Sequence, residues 1–262
     1  MNDPKAIKRL DFTTLDTATF DTKWLVTNWI RRHDLCILSG EPGAAKSWLA
    51  LSLATSVATG GDFASSFGPV HQGTVIYIDE DMERYDSSER FQALCRGSGR
   101  NPSTLTGAID YWTENNFGLS EIVGRKKEIV AAHPALVIID SMYCINPYDM
   151  NDIKHVRHVK AQLREVMREA DCALVLIHHL RKRQAGQTHK DAEDILGSVG
   201  YRNMADAVIF MEWLDARKRS KGVKVRLEKQ RGLDEETIEQ QAFSFNLLYM
   251  GDKGTKLVVH NG

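Results

Sequence analysis

No apolar run in this sequence approaches the roughly 20 consecutive residues that a membrane-spanning helix needs. The first residues, Met1–Lys5, also lack the basic and then apolar pattern of a secretory signal. These two absences predict a cytoplasmic protein that has no membrane partner.

Cysteine is scarce, and the spacing of the cysteines excludes two kinds of stabilisation. The four cysteines are Cys36, Cys95, Cys144 and Cys172, and three of them lie in or beside apolar runs. Their wide separation matches neither a disulfide framework nor a set of metal ligands. We therefore expect small buried hydrophobic side chains in a reducing compartment.

The chain also has little net charge. Its formal charge is −1, so the molecule as a whole has no strong attraction for nucleic acid, and a DNA-binding surface must come from local clusters. Internal repeats and low-complexity linkers are lacking too. The length of 262 residues suffices for one large α/β domain or two small ones.

The most informative segment that is present runs from Gly40 to Ser47 and reads GEPGAAKS. An apolar run, residues 35–38, precedes it, and a helix-like segment, residues 48–54, follows it. Strand, turn, Lys-Ser and helix form the context of a phosphate-binding loop. In such a loop the backbone N–H groups bind a polyphosphate, Lys46 reaches the β- and γ-phosphates, and Ser47 holds Mg²⁺. The candidate nucleotide-binding residues are Glu41, Pro42, Gly43, Ala44, Ala45, Lys46, Ser47 and Trp48.

One residue departs from the usual pattern, because Ala45 stands where glycine normally precedes the lysine. If this position needs a positive φ, alanine costs about 1–2 kcal/mol there. The alternative is a glycine-rich turn that joins a strand to a helix and binds no ligand.

Hydrophobic periodicity predicts an α/β fold. Five apolar runs resemble buried strands: residues 35–38, 75–78, 136–139, 174–177 and 208–211. Helical patterns lie between them, the clearest over residues 153–170, so we predict a mostly parallel sheet covered on both faces. Residues 223–228 and 243–247 alternate between apolar and polar, which predicts antiparallel strands near the C-terminus. Residues 1–33 are predicted to form an N-terminal segment that packs on the core or on a neighbouring subunit, and residues 34–262 the main domain.

Two of the predicted strands end in carboxylates. Asp140 follows residues 136–139, and at the carboxyl end of a parallel strand it is expected to hold the water shell of Mg²⁺ beside Ser47. After residues 75–78, Glu80 and Asp81 are candidates for the acid that positions water for attack on a γ-phosphate. The alternative for this second group is a solvated acidic loop.

A further predicted strand ends in His178 and His179. His178 is the candidate for a side chain that hydrogen-bonds the γ-phosphate and reports its loss to the loop that follows. The alternative is a strand-end histidine bound to a backbone carbonyl. Adjacent histidines on a strand point to opposite faces, so the pair does not predict a metal site.

Two basic segments have open interpretations. Residues 181–190 are polar and basic, and they suit either contact with a nucleic-acid backbone or an ordinary surface loop. Lys229 and Arg231 could reach the nucleotide of a neighbouring subunit, as an arginine finger does, or could belong to a solvated basic turn.

Taken together, these residues resemble the RecA/DnaB-like branch of P-loop ATPases, and most closely the RepA-like group of hexameric helicases. The resemblance extends from about Trp24 to Arg231. Its landmarks are residues 24–26, the phosphate-binding loop, residues 77–82, 138–141, 177–179, 197–198, 205–208 and 229–231.

The resemblance implies a RecA-like three-layer fold and the cofactors ATP and Mg²⁺. It implies that Asp140 completes the metal site with Ser47. The family's catalytic acid stands just before the Met-like position, which points to Asp81, with Glu80 a close second. His178 is then the sensor. Lys229 and Arg231 are then implied to act on a neighbouring subunit.

For the whole molecule, the resemblance implies a homo-oligomeric ring, commonly a hexamer. Residues 143–155 and 182–196 are then the loops that face a channel for single-stranded DNA. No N-terminal primase-binding domain is evident, so we expect a motor domain alone.

Three functions are compatible with these motifs. The first is an ATP-driven ring helicase that acts on DNA. The second is a RecA-like ATPase that does not unwind DNA and has a regulatory, recombination or remodelling role. The third is a nucleotide-binding module with little turnover, which the alanine at position 45 favours.

Overall fold

The structure is a computed structural model, and it describes residues 24–61, 69–113, 116–180, 200–215 and 222–260. The strands are β1 Trp24–Val26, β2 Ile30–Arg31, β3 Leu35–Gly40, β4 Val75–Asp79, β5 Ile109–Thr113, β6 Leu136–Asp140, β7 Ala173–His179, β8 Ala207–Trp213, β9 Val223–Gln230, β10 Ala242–Tyr249 and β11 Thr255–His260. The helices are α1 Lys46–Thr59, α2 Arg84–Gly97, α3 Leu119–Gly124, α4 Lys126–Ala131, α5 Met142–Ile145, α6 Ile153–Ala170, α7 Gly200–Met204 and α8 Glu235–Gln240.

Nine of the described strands form one sheet, in the order β11-β10-β9-β8-β3-β7-β6-β4-β5. The six strands from β8 to β5 are parallel to one another, whereas β9, β10 and β11 pair antiparallel with the strands beside them. The predicted α/β fold, with a mostly parallel sheet and antiparallel C-terminal strands, is confirmed. β5 and β11 lie at the two edges of the sheet, and the sequence did not predict either of them.

The two faces of the sheet bury alternate residues of each strand. On one face Cys36 and Leu38 of β3 belong to a core cluster that includes the apolar side of α1. On the other face Leu35 and Ile37 belong to a second cluster with α6. This alternation follows from the pleat of the strand, and it explains why the central strands are apolar throughout.

α6 confirms the helix that was predicted over residues 153–170. The side chain of Asp152 caps its N-terminus by accepting a hydrogen bond from the N–H of Lys154 at 2.7 Å. Its buried residues recur at spacings of three and four: Val156, Val159, Leu163, Val166, Met167 and Ala170. Within the described part of the chain, no helix is both long and apolar enough to cross a membrane.

The N-terminal segment is described only from Trp24 onward. Leu25, Val26, Trp29 and Ile30 are buried in the same core cluster as α1. Three cysteines are buried as expected, but Cys144 is exposed, which corrects the expectation for that residue. Cys144 lies on α5, a short helix at the carboxyl edge of the parallel strands.

The strand order decides which loops meet. Because β7 lies between β3 and β6, and β4 lies beyond β6, the carboxyl ends of these four parallel strands are side by side. Every acid or histidine that the sequence placed at a strand end therefore comes to the same edge as the loop after β3.

Candidate active site

The loop between β3 and α1 is attached to the neighbouring strand β8. The N–H of Glu41 donates to the carbonyl of Met211 at 3.0 Å, and the Glu41 carboxylate accepts from the N–H of Trp213 at 3.2 Å. A Cβ at Gly40 would lie 2.3 Å from the carbonyl oxygen of Met211. Only glycine therefore lets the end of β3 approach β8 this closely.

The last turn of the loop has a left-handed backbone. Gly43 has φ 76°, and Ala45, which precedes α1, has φ 60° and ψ 31°. Position 45 therefore does need a positive φ, and an alanine in this region costs about 1–2 kcal/mol. No described side chain caps the N-terminus of α1. Its first N–H groups are consequently oriented toward the loop, where a polyanion would be stabilised.

Lys46 lies folded against this loop. Its Nζ donates to the carbonyl oxygens of Gly40 at 3.2 Å and Glu41 at 3.1 Å, and the residue is 7% exposed. Burial lowers the pKa of Lys46 to about 8, although the charges of Asp140, Asp81 and Glu41 oppose this shift. The same carboxylates that the sequence proposed for catalysis thus surround the lysine.

Asp140 ends β6 and is 2% exposed. Its side chain is hydrogen-bonded to Ser47, and the hydroxyl of Tyr77 donates to its Oδ2 at 3.1 Å. Burial, together with the charges of Asp79 and Asp81, raises the pKa of Asp140 to about 7, while the two hydrogen bonds act in the opposite direction. A hydroxyl and a carboxylate in contact are oxygen ligands of the kind that Mg²⁺ takes, and a cation there would relieve the crowded negative charge. The residues present therefore fit Mg²⁺.

Asp81 and Glu80 occupy different environments after β4. The Asp81 carboxylate is exposed, and its Oδ1 accepts a hydrogen bond from the Sγ of Cys144 at 3.3 Å. Glu80 is half-buried, and its N–H donates to the carbonyl of Asp140 at 2.7 Å. The charge of Asp81, and not that of Glu80, is among those that raise the pKa of Lys46, which favours Asp81 over Glu80 as the acid that faces the loop.

Three residues at this edge were missed by the sequence reasoning: Asp79, Tyr77 and Tyr111. The Asp79 carboxylate accepts a hydrogen bond from the Tyr111 hydroxyl at 2.6 Å. The rings of Tyr77 and Tyr111 are stacked, with centroids 4.9 Å apart and planes inclined by 13°. Tyr77 could have been found from the alternation of β4, which puts it on the same face as Asp79. Tyr111 could not, since it lies on the unpredicted strand β5.

The two histidines of β7 lie on opposite faces of the sheet, as predicted. His178 is 1% exposed, its Nδ1 lies 3.0 Å from the carbonyl of His179, and its ring meets that of Tyr201 edge-on. Burial lowers the pKa of His178 to about 4. His179 is half-buried, and its pKa is lowered by burial and by Lys46 but raised by Asp81. By the alternation of β7, His179 lies on the same face of the sheet as Ile177 and α1, and the charge of Asp81 acts on it, whereas the charge of Lys46 lowers the pKa of both histidines.

Lys229 and Arg231 lie far from the loop of their own chain. Lys229 pairs with Val208, three residues before the partner of Gly40 on β8, which separates it from the loop by about 10 Å or more along the sheet. Its Nζ donates to the carbonyls of Arg202 and Ala205, and burial lowers its pKa. Arg231 is 49% exposed, and its Nη1 is 3.4 Å from a carboxylate oxygen of Asp206.

A cavity of about 570 Å³ lies beside the loop, on the side of the antiparallel strands. Gly43 and Ala45 border it, as do Trp213 of β8 and Tyr249 of β10. The Tyr249 ring meets the Trp48 ring edge-on, with centroids 6.4 Å apart. This arrangement provides an aromatic and mostly apolar wall next to the first turn of α1.

A family model described as AAA domain matches residues 2–185, more than half of the chain. The chain belongs to this family. No curated protein matches the chain significantly. The AAA-domain match includes the loop, Asp81, Asp140 and both histidines of β7, but it ends before β8. Membership makes this AAA-domain protein a P-loop ATPase with a RecA-like fold, a class that uses ATP with Mg²⁺.

Proposed function

We propose that this AAA-domain protein hydrolyses MgATP and couples hydrolysis to movement on single-stranded DNA, as a ring-forming helicase of identical subunits. The observation that carries the ATPase assignment is the convergence of Lys46, Ser47, Asp81 and Asp140 at one edge of the sheet. These residues supply a cation for phosphate, a hydroxyl and a carboxylate for Mg²⁺, and an acid for water.

In the proposed mechanism, Lys46 exchanges its two carbonyl partners for oxygens of the β- and γ-phosphates. Ser47 and Asp140 would hold Mg²⁺, which would supply positive charge against the phosphates. Asp81 accepts a hydrogen bond from the attacking water and orients it in line with the leaving oxygen. The aromatic wall around Trp48 and Tyr249 would take the base.

For the sensor, we favour His179 over His178. The charge of Lys46 acts on both histidines, but the charge of Asp81 raises the pKa of His179, and the Nδ1 of His178 lies against the carbonyl of His179. A hydrogen bond from the His179 ring to the γ-phosphate would link nucleotide state to the segment that follows β7. That segment, residues 181–199, which includes the basic residues and the whole of the second expected channel loop, lies outside the described residues.

The position of Arg231 supports an oligomer. A cation that is separated from the loop of its own chain and half exposed can serve only the nucleotide of another subunit, if it acts in hydrolysis at all. Lys229 instead donates to two carbonyls near the end of α7, so we expect it to hold Arg231 in position more than to contact phosphate.

Contact with DNA is supported by the other expected channel segment. Tyr143 is 64% exposed, and Lys154 and Arg157 are exposed on the first turns of α6. That segment also contains Asp149 and Asp152, so the cations that could meet phosphate lie at its end and on α6, where no acidic residue occurs between residues 153 and 164. Exposed aromatic rings and cations are what single strands bind, through base stacking and phosphate contacts.

The test is ATPase activity with and without single-stranded DNA, with the molecular mass measured in the same buffer. We expect DNA to stimulate turnover in a species of ring size. A DNA-indifferent monomer or dimer would contradict the helicase and support the second candidate, an ATPase with a regulatory or remodelling role. The near-zero net charge of the chain is the observation that favours this candidate.

A further inference from the structure

The carboxylate of Asp79 is the most heavily hydrogen-bonded side chain next to the candidate active site. It is 3% exposed at the end of β4. Its Oδ2 accepts from the hydroxyls of Tyr111 and Ser87, both at 2.6 Å. Its Oδ1 accepts from the N–H groups of Asp81 at 3.2 Å and Met82 at 3.3 Å. One buried carboxylate thus joins β5, α2 and the loop after β4.

The two backbone bonds act on the residue that we assign to water. They fix the peptide units on either side of the Asp81 Cα, and hence the direction of its side chain. The side chain of Asp81 is held as well, because the Sγ of Cys144 donates to its carboxylate. Asp81 is thereby held at both its backbone and its side chain, although it is exposed to solvent.

Each of the two stacked tyrosines donates a hydrogen bond to a buried carboxylate. Tyr111 donates to Asp79, and Tyr77 donates to Asp140. Since the rings lie 4.9 Å apart and nearly parallel, a shift of one hydroxyl is resisted by the other ring. The edge strand β5 therefore takes part in the geometry of the site through Tyr111.

We propose that Asp79 is the positioning residue for the acid Asp81, and that Tyr111 holds Asp79 in the required orientation. This inference rests on the proposed hydrolysis of MgATP. Asp79 itself does not contact substrate. It acts by keeping the Asp81 carboxylate where water must be oriented, and a displacement of about 1 Å at such a group can cost on the order of 100-fold in rate.

The first experiment compares the Asp79→Asn and Tyr111→Phe variants with the wild type in steady-state ATP hydrolysis. An asparagine can still accept the two backbone bonds, but its NH₂ group cannot accept from Tyr111 and Ser87; those hydroxyls must turn and accept from it, so two bonds to a charged group become weaker neutral ones. We expect kcat to fall about 10- to 100-fold for Asp79→Asn and less for Tyr111→Phe, with KM within about twofold of wild type. Tyr85→Phe, which removes a hydroxyl from a 77% exposed ring on α2, is the matched control and should change neither constant.

A double-mutant cycle separates this inference from the function on which it rests. If Asp79 acts through Asp81, the Asp79→Asn change should lower kcat no further once Asp81→Asn is present. Independent, multiplicative losses would overturn the positioning role. Full turnover in the Asp81→Asn single variant would instead overturn the assignment of Asp81 as the acid.

Hydrogen exchange tests the anchoring even if turnover is absent. In an Asp79→Ala variant the amides of Asp81 and Met82 lose their acceptor, and we expect their exchange to accelerate by about tenfold or more, with the buried amides of α6 unchanged. Unchanged exchange at these two amides would overturn the proposal. An equal acceleration throughout the chain would overturn it too, because the effect would then be a general loss of stability.

Discussion

The residue that departs from the usual loop pattern, Ala45, adopts the backbone that glycine normally provides. Its φ of 60° is left-handed, and the N–H of Leu49 still donates to its carbonyl at 3.0 Å. The loop thus keeps its conformation at a local cost. This observation argues against the binding module with little turnover, since Ala45 adopts the left-handed backbone that glycine would provide.

We expect Ala45→Gly to stabilise the protein by up to about 1 kcal/mol, because removal of the Cβ relieves the left-handed strain and the greater freedom of the unfolded chain offsets part of the gain. Urea unfolding measures the change. Ala161→Gly is the matched control. Ala161 is exposed in the interior of α6, so there the same substitution should destabilise by about 0.5–1 kcal/mol. If both substitutions stabilised the protein, or both destabilised it, the left-handed strain at Ala45 would be contradicted.

Lys46→Ala should reduce ATP turnover by about 100-fold or more, since it removes the cation that would move from the carbonyls of Gly40 and Glu41 to phosphate. A coupled ATPase assay is the measurement. Lys127→Ala, an exposed lysine on α4, serves as the control and should keep wild-type turnover. Hydrolysis that survives in the Lys46 variant would show that the phosphate site lies elsewhere.

At the scale of elements, the sequence predicted the central strands well and the edge strands poorly. β3, β6 and β7 are apolar up to their carboxyl ends because both of their faces are covered, and continuous apolar runs are easily recognised. β5 is short and only half-buried, so its sequence has no comparable pattern. Its identity as a strand comes from pairing with β4, about 30 residues earlier in the chain. The Tyr111–Asp79 hydrogen bond was hidden for the same reason.

The packing of β7 against α7 predicts a pH effect on stability. The imidazole of His178 is buried beside Tyr201, and burial lowers its pKa from 6.5 to about 4. The unfolded chain therefore binds a proton at this residue below pH 6.5, and the folded chain does so only near pH 4. His178 should cost up to about 3 kcal/mol of stability as the pH falls through this window.

A comparison with His178→Phe isolates this contribution. Asp140 has the opposite sign, because its raised pKa makes the folded state gain relative stability as the pH falls below 7. Urea unfolding from pH 7 to pH 4.5 measures the free energy of unfolding of both proteins. As the pH falls, the wild type should lose more of this free energy than the variant does. A difference that is independent of pH would contradict the burial of a neutral His178.

At the scale of the whole molecule, the sheet separates the candidate active site from the basic residues after β9. Lys46 is at the carboxyl edge of β3, whereas Arg231 lies beside Asp206, at the amino edge of β8. If Arg231 acts in hydrolysis as proposed, each subunit contributes to two different sites. Stacking of subunits head to tail would bring the two contributions to each site together, which is the symmetry of a ring.

Arg231→Ala should leave ATP binding nearly unchanged and reduce turnover by about tenfold or more, since an arginine supplied in trans stabilises charge that develops in the transition state. Mixtures of Arg231→Ala and Lys46→Ala subunits should recover part of the activity, because some interfaces then combine an intact loop with an intact arginine. Arg125→Ala, which removes an exposed arginine on the other side of the sheet, is the control. Mixtures without recovered activity would contradict action between subunits.

The sequence by itself determined the phosphate-binding loop, the α/β class and the acids at the strand ends, because a loop motif and the period of apolar residues are local properties of the chain. The tertiary structure alone decided which of these groups meet. The order of strands is set by pairing between distant segments, and it brings Asp81, Asp140 and His179 around Lys46 while it sends Arg231 to the opposite edge. The tertiary structure also identified Asp79 and the stacked tyrosines as part of this edge, because their contacts join different strands and no local sequence pattern contains them.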